Sequence, residues 1–127
     1  KRALTIQDIS CVGQCSLTVA LPIISACGVE TCVLPSAVLS THTGGFTGYT
    51  FRDLTEDMPS IKDHWVKEGL KFDAVYTGYL GSTKQIDYVA DIMATRRTLR
   101  WFIPPTRAMT FLIVLFCLLP HKVMLIA

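Results

Sequence analysis

Acidic side chains are missing from the last quarter of this 127-residue chain. All 10 Asp and Glu residues lie between Asp8 and Asp91, whereas residues 96–127 carry five basic side chains and no acidic one. The net charge of +2 therefore combines −3 over residues 1–95 with +5 over residues 96–127. The sequence predicts a charge-balanced body, residues 1–94, followed by a divergent basic and apolar tail, residues 95–127.

Long hydrophobic runs are also absent. Half of the residues are apolar and only 17% are charged, which excludes a disordered chain. The tail contains one uncharged apolar run, residues 109–119, which is much shorter than the roughly 20 residues that span a bilayer. Membrane association through the tail is therefore the less favoured alternative. Residues 1–8 turn polar too early for a secretory signal, so we expect a cytoplasmic protein.

Patterns typical of metal and nucleic-acid sites are lacking. The five cysteines form no Cys-x-x-Cys pair and match no zinc or haem spacing, and the three histidines are scattered. We therefore predict no metal ligands. The basic tail accompanies no nucleic-acid-binding motif, so we predict no nucleic-acid partner.

What is present is an alternation of strand-like and helix-like segments. Such an order predicts an α/β fold, a three-layer α-β-α arrangement with a mostly parallel sheet. The segments predicted as strands are 3–7, 29–34 and 72–77, those predicted as helices are 16–27, 59–68 and 82–94, and residues 35–49 are predicted as a long loop.

Three loops follow the carboxyl ends of the predicted strands, where ligands bind in parallel sheets. They are Asp8–Cys15, Leu39–Tyr49 and Gly78–Ser82. The second loop is rich in Gly, Thr and Ser but lacks the Gly-Lys-Ser/Thr ending of a P-loop. Other interpretations stay open: a flexible surface loop, a turn-forming or helix-capping Asp8, and a half-buried Tyr79 at the sheet edge.

Three motifs carry a resemblance to a known family. They are Thr-Ile-Gln-Asp-Ile-Ser-Cys-Val-Gly-Gln-Cys-Ser (5–16), Leu-Ser-Thr-His-Thr-Gly-Gly-Phe (39–46) and Tyr-Thr-Gly-Tyr-Leu-Gly (76–81). In this order they resemble the pyridoxal/pyridoxamine kinases of the ribokinase-like superfamily, and the resemblance covers residues 1 to about 94. It implies a truncated ribokinase-like fold that contains the N-terminal, substrate-binding side.

The resemblance also implies a function. Family members use ATP and Mg²⁺ to phosphorylate the 5′-hydroxymethyl group of pyridoxal, pyridoxine or pyridoxamine, a small-molecule substrate, and full-length members include homodimers. Matched motif by motif, it implies a set of substrate-binding residues in this chain: Asp8, Cys15, Ala37, Leu39, His42, Thr43 and Tyr79. Asp8 stands where family members contact the polar substituents of the pyridine ring, and many of them have Ser there.

The sequence departs from the family beyond residue 94. The family's Gly-x-Gly-Asp element, whose aspartate is the catalytic base, does not occur, and no carboxylate follows Asp91. We therefore assign no catalytic residue and no residues for ATP or Mg²⁺. Two alternatives to a working kinase follow: an inactive chain that keeps part of the vitamin B6 pocket, and a membrane-associated product of the tail.

Overall fold

The structure is a computed structural model that describes residues 1–94 in full and residues 100–102 as backbone. Strands and helices alternate along most of this part of the chain. In order, the elements are β1 (Arg2–Ser10), α1 (Leu17–Ala26), β2 (Glu30–Leu39), β3 (Phe51–Asp53), a 3₁₀ turn (Thr55–Asp57), α2 (Met58–Lys67), β4 (Ala74–Thr77), α3 (Thr83–Ala94) and β5 (Arg100–Phe102).

The strands form one sheet in the order β3-β2-β1-β4-β5. β1 lies at its centre and pairs in parallel with β2 and β4, and β5 pairs in parallel with β4. The edge strand β3 is antiparallel to β2. The predicted α/β fold with a mostly parallel sheet is confirmed.

Helices cover both faces of the sheet. On one face, Leu4 and Ile6 of β1 belong to the main hydrophobic core, together with Val89 and Ile92 of α3. On the other face, Ala20 of α1 packs in a second buried cluster with β4. Because alternate residues of a strand point to opposite faces, β1 contributes side chains to both interfaces between the sheet and the helices. The three-layer prediction is confirmed.

Both central strands are longer than predicted. The interpretation of residues 35–39 as loop is wrong, because β2 continues through Pro35 and its parallel pairing with β1 ends only at Ser10 and Leu39. Between the partners of Gln7 and Ile9, β2 contains one extra residue, a bulge. β3 pairs with β2 only from Ala37 onward, so Pro35 has no neighbour on that side, as proline in a sheet requires.

β3 and β5 were not predicted from the sequence. β5 carries the sheet past residue 94, into the range assigned to the tail, and the division at residue 94 stays a prediction. Within the described residues, no helix has the length and apolar character needed to cross a membrane. The apolar run 109–119 lies outside the described residues.

Candidate functional site

A cavity of about 720 Å³ opens where β1, β2 and β4 end. The three loops that the sequence placed at this edge all contribute to its wall. The lining residues are Asp8, Ser10, Gln14, Cys15, Ser16, Leu39, His42, Thr43, Gly44, Tyr49, Phe51 and Tyr79.

The structure brings six of the seven residues implied by the resemblance to this cavity. They are Asp8, Cys15, Leu39, His42, Thr43 and Tyr79. Ala37 is not among the lining residues; it is buried in β2, two positions before Leu39, with 2% of its surface exposed.

Six further lining residues were assigned no role from the sequence, and one of them, Ser10, had a usable signal. Ser10 follows Asp8 at strand spacing, so a longer β1 would have placed both on the same face. Phe51 lies on β3, whose three residues are too few to show a period.

Asp8 lies inside β1 rather than after it. By the alternation of the strand, the face that buries Leu4 and Ile6 continues with Asp8 and Ser10. The same face therefore changes from hydrophobic core to polar cavity wall. Asp8 is only 7% exposed, and its Oδ2 accepts a long hydrogen bond of 3.4 Å from the Ser10 hydroxyl.

Backbone hydrogen bonds fasten the loop after β1 to the loop after β2. The amide of Cys11 donates to the carbonyl of Leu39 at 2.9 Å, and the amide of His42 donates to the carbonyl of Val12 at 3.0 Å. The His42 ring is held as well, because its Nδ1 accepts the Gly44 amide at 3.0 Å. An accepting Nδ1 makes the imidazole neutral, with its proton on Nε2.

Gly13 and His42 interlock at this junction. Gly13 has φ +109°, and a Cβ placed on it would lie 2.0 Å from Cδ2 of His42 and 3.1 Å from its Nε2. The His42 ring also meets Phe46 edge-on, with 5.1 Å between ring centroids. His42 can therefore occupy this position only because residue 13 is a glycine.

Tyr79 forms the opposite wall of the cavity. The preceding Gly78 donates its amide to the carbonyl of Ile6 at 3.0 Å and leaves no space for a side chain, since a Cβ there would lie 2.8 Å from Gln7. The chain thus turns away from the sheet at a fixed point, and Tyr79 stands at the cavity mouth with 66% of its surface exposed. An exposed aromatic face in this place suits a planar ligand.

Buried Gln85 joins the loop that carries Tyr79 to the β2–β3 side of the cavity. Its Oε1 accepts the Gly81 amide at 2.8 Å. Its Nε2 donates to the Thr55 hydroxyl at 2.8 Å and to the Ser36 carbonyl at 3.2 Å, with a longer contact of 3.4 Å to Asp53. The Ser82 hydroxyl caps α3 by accepting the Gln85 amide at 3.3 Å.

Asp53 is the acidic member of this network. Hydrogen bonds from the hydroxyl and the amide of Thr55 lower the pKa of the Asp53 carboxyl, with a smaller contribution from Gln85. A carboxyl with a lower pKa in the folded state stabilises the fold above its unfolded pKa, and this stabilisation is lost as the pH falls through the folded value. Asp53 therefore makes the chain less stable in acid, below about pH 4.

We expect Thr55→Val to weaken this acid dependence. The variant removes the hydroxyl donor, so the pKa of Asp53 rises towards that of a free carboxyl. Titration of the Asp53 side chain by NMR measures the shift directly, and urea unfolding at pH 3 to 6 measures its effect on stability. Thr43→Val is the matched control, since its hydroxyl does not contact Asp53; equal Asp53 titration in wild type and T55V would contradict the assignment.

The cavity wall offers single hydrogen-bonding groups and aromatic side chains. The described residues contain no group of three or more His, Cys, Asp or Glu side chains placed to hold a metal ion. Its polar groups are instead single donors and acceptors, chiefly Asp8, His42 and Thr43, set between the aromatic side chains Tyr49, Phe51 and Tyr79. Such a wall fits a small aromatic molecule with polar substituents.

Comparison with solved structures places this architecture among α/β kinases. A protein from Bacteroides thetaiotaomicron, provisionally described as a phosphomethylpyrimidine kinase, matches 83% of this chain with 43% sequence identity and a TM-score of 0.78, and a second crystal form of it contains pyridoxal. Pyridoxal kinase from Lactobacillus plantarum matches 82% of the chain with 32% identity and a TM-score of 0.78. Both matches cover 37% of the longer protein.

More distant pyridoxal kinases share the fold alone. The enzyme of Leishmania donovani, solved with ADP and pyridoxamine, is 18% identical over 81% of this chain, with a TM-score of 0.70 and coverage of 39% of that protein. No family model matches the sequence, and no curated protein does.

The class defined by the fold is thus the ribokinase-like α/β proteins. Within that class, this chain is related to the pyridoxal kinases and corresponds to part of their structure, spanning 37% of the length of the first relatives that it matches.

Proposed function

We propose that the cavity is the vitamin B6 pocket of a pyridoxal kinase, whose reaction is ATP-dependent phosphorylation of the 5′-hydroxymethyl group of pyridoxal, pyridoxine or pyridoxamine. The observation that carries the proposal is the convergence of Asp8, His42, Thr43 and Tyr79 on one cavity. The pyridoxal-containing form of the Bacteroides relative supports it, because the two sequences are 43% identical over an alignment that covers 83% of this chain.

The pocket residues have distinct tasks in this proposal. Tyr79 offers a flat face for the pyridine ring at the cavity mouth. The Nε2–H of His42 and the Thr43 hydroxyl supply hydrogen bonds to the oxygen substituents of the ring, and Leu39 and Cys15 form the apolar part of the wall. The bonds between the first two loops hold these groups in place before the ligand arrives, which lowers the entropic cost of binding.

ATP and Mg²⁺ are the co-substrate and metal that the family resemblance implies. The described residues do not fit them: no metal-ligating cluster is present there, and the cavity wall contains one carboxylate. Phosphoryl transfer depends on a placed metal and on preorganised charge. We therefore assign no step of that reaction to the described residues. For the 127-residue chain by itself, we propose vitamer binding without phosphoryl transfer, in a cytoplasmic setting.

Calorimetric titration with pyridoxine tests the binding half of the proposal. Pyridoxine is preferred to pyridoxal because it has no aldehyde to form imines with lysines. We expect saturable binding of one pyridoxine per chain, which Tyr79→Ala weakens. Ile86→Ala is the control, since Ile86 is an exposed apolar residue of α3 and does not line the cavity. Heat signals without saturation, or equal affinities for both variants, would refute a vitamin B6 pocket.

An assay with ATP, Mg²⁺ and pyridoxine tests the transfer half. We expect no pyridoxine 5′-phosphate above the rate without protein. Product formation by the purified chain would overturn the proposal that it binds without transfer, while leaving the vitamin B6 pocket in place.

A further inference from the structure

Ser16 has a backbone conformation that ordinarily belongs to glycine. It directly precedes α1, and its φ of 49° and ψ of −126° are close to those of the first central residue of a type II′ turn. The Thr18 amide closes this turn by donating to the carbonyl of Cys15 at 3.2 Å. Glycine dominates this turn position because a side chain there strains the backbone. Within the described residues, Ser16 is the one non-glycine residue with a positive φ.

No local hydrogen bond of the Ser16 side chain offsets this strain. A serine at the start of a helix ordinarily caps it with its hydroxyl, but Ser16 forms no such bond. Thr18 bonds to this part of the loop instead, since its hydroxyl accepts the Cys15 amide at 3.2 Å and donates to the Cys15 carbonyl at 2.8 Å. The Ser16 hydroxyl has no other hydrogen-bonding partner among the described residues. A glycine at position 16 would therefore form the same turn with less strain.

The side chain of Ser16 is available to a ligand. Ser16 is partly buried and belongs to the wall of the cavity. A hydroxyl group can both donate and accept a hydrogen bond, so it suits an alcohol, an amine or a carbonyl group of a ligand. Residues in sparsely populated backbone conformations are concentrated at ligand-binding sites. A strained serine with an unused hydroxyl in a cavity wall therefore indicates a contact that forms when a ligand is bound.

We propose that Ser16 is a further ligand-binding residue, whose hydroxyl forms a hydrogen bond with a polar substituent of the bound ring. This inference rests on the proposed function, and it adds a residue at the start of α1 to the binding groups of the pocket. In the ligand-free chain the strain at Ser16 is uncompensated, whereas in the complex the new bond compensates it. Stability and binding therefore respond in opposite directions when the side chain is removed.

Ser16→Gly tests this opposition, because it removes the strain and the hydroxyl together. We expect S16G to unfold at or above the wild-type temperature, since relief of the strain offsets the greater freedom of glycine in the unfolded chain. We expect it to bind pyridoxine about fivefold more weakly, as for the loss of one neutral hydrogen bond. Thermal unfolding and calorimetric titration with pyridoxine measure the two effects.

Ser16→Ala keeps a side chain at the strained position and removes the hydroxyl alone. We expect S16A to lose the same factor of about five in pyridoxine affinity. Ser60→Ala is the control for the loss of a serine hydroxyl, since Ser60 is exposed on α2 and does not line the cavity, and it should bind with wild-type affinity. Wild-type affinity in S16G and S16A would overturn the inference and leave the vitamin B6 pocket standing. A loss in S16G alone would also overturn it, because the backbone rather than the hydroxyl would then control binding.

A pyridoxine analogue identifies the group that Ser16 binds. The compound 4-deoxypyridoxine has a methyl group in place of the 4′-hydroxymethyl group. Equal affinities of wild type and S16A for this analogue would assign the bond to the 4′-hydroxyl. A difference of about fivefold that persists would assign it to the 3-hydroxyl or the 5′-hydroxymethyl group. Failure of the wild-type chain to bind pyridoxine would refute the proposed function and this inference with it.

Discussion

Gly13→Ala is expected to weaken pyridoxine binding by roughly 100-fold, the loss of two hydrogen bonds of the usual strength. The added Cβ would lie 2.0 Å from Cδ2 of His42, so the ring has to leave its position. When it moves, the bond from the Gly44 amide to Nδ1 is broken and the neighbouring Thr43 is displaced with it. The site loses the donors of His42 and Thr43 in one step.

The same substitution is expected to destabilise the fold. Overfilling a packed site costs about 1–3 kcal/mol, and an L-residue at positive φ costs about 1–2 kcal/mol more. Urea unfolding measures the sum, and calorimetric titration measures the binding loss.

Gly28→Ala separates the two causes. Gly28 also has a positive φ, +75°, but a Cβ there meets no atom within 4 Å, and the residue lies far along the chain from the cavity wall. We expect G28A to lose stability because of its positive φ and to bind pyridoxine with wild-type affinity. Equal binding losses in G13A and G28A would show that His42 is not positioned by Gly13.

Gln85→Leu is expected to lower the free energy of unfolding by about 2–4 kcal/mol, since it leaves more than one buried polar group without its partner. Leucine is close to glutamine in size but cannot hydrogen bond. The Thr55 hydroxyl, the Ser36 carbonyl and the Gly81 amide each lose a bond. The last of these bonds ties the Tyr79 loop to the rest of the site, so pyridoxine affinity should fall as well.

Asp87→Leu is the matched control for this variant. Asp87 lies on the same helix, is exposed, and leaves no buried partner when it is replaced. Its effect should stay within about 0.5 kcal/mol, as is usual for surface positions. A Q85L variant as stable as D87L would mean that the Gln85 network contributes nothing to the connection between the two cavity walls.

Most of the architecture could be predicted, because hydrophobic periodicity indicates the helices and strands and the direction of the strands indicates where their ends meet. The alternation of segments is enough to indicate a parallel sheet, and parallel strands bring their carboxyl ends to one edge. That argument placed the loops containing Asp8, His42 and Tyr79 together before any contact was known. The resemblance then named the residues within those loops.

The features that were missed depend on pairing between distant residues. Pro35 resembles the start of a loop, and only the absence of β3 beside it makes a proline acceptable within β2. β3 itself is too short to show a period. For Gln85, the Ser-x-x-Gln pattern of residues 82–85 is typical of a helix start and indicates a local contact. Its side-chain amide instead reaches the Ser36 carbonyl, 49 positions earlier in the chain. No local pattern contains that information.

Chemical-shift mapping of the ¹⁵N-labelled chain with pyridoxine tests the central claim most directly, because it shows where on the molecule the ligand lies. The account predicts saturable shifts in the amides of residues 8–16, 39–44 and 78–81, which belong to the three loops of the cavity, and none on the exposed face of α2. Shifts confined to other parts of the chain, or no shifts at a pyridoxine concentration that saturates the calorimetric signal, would contradict it.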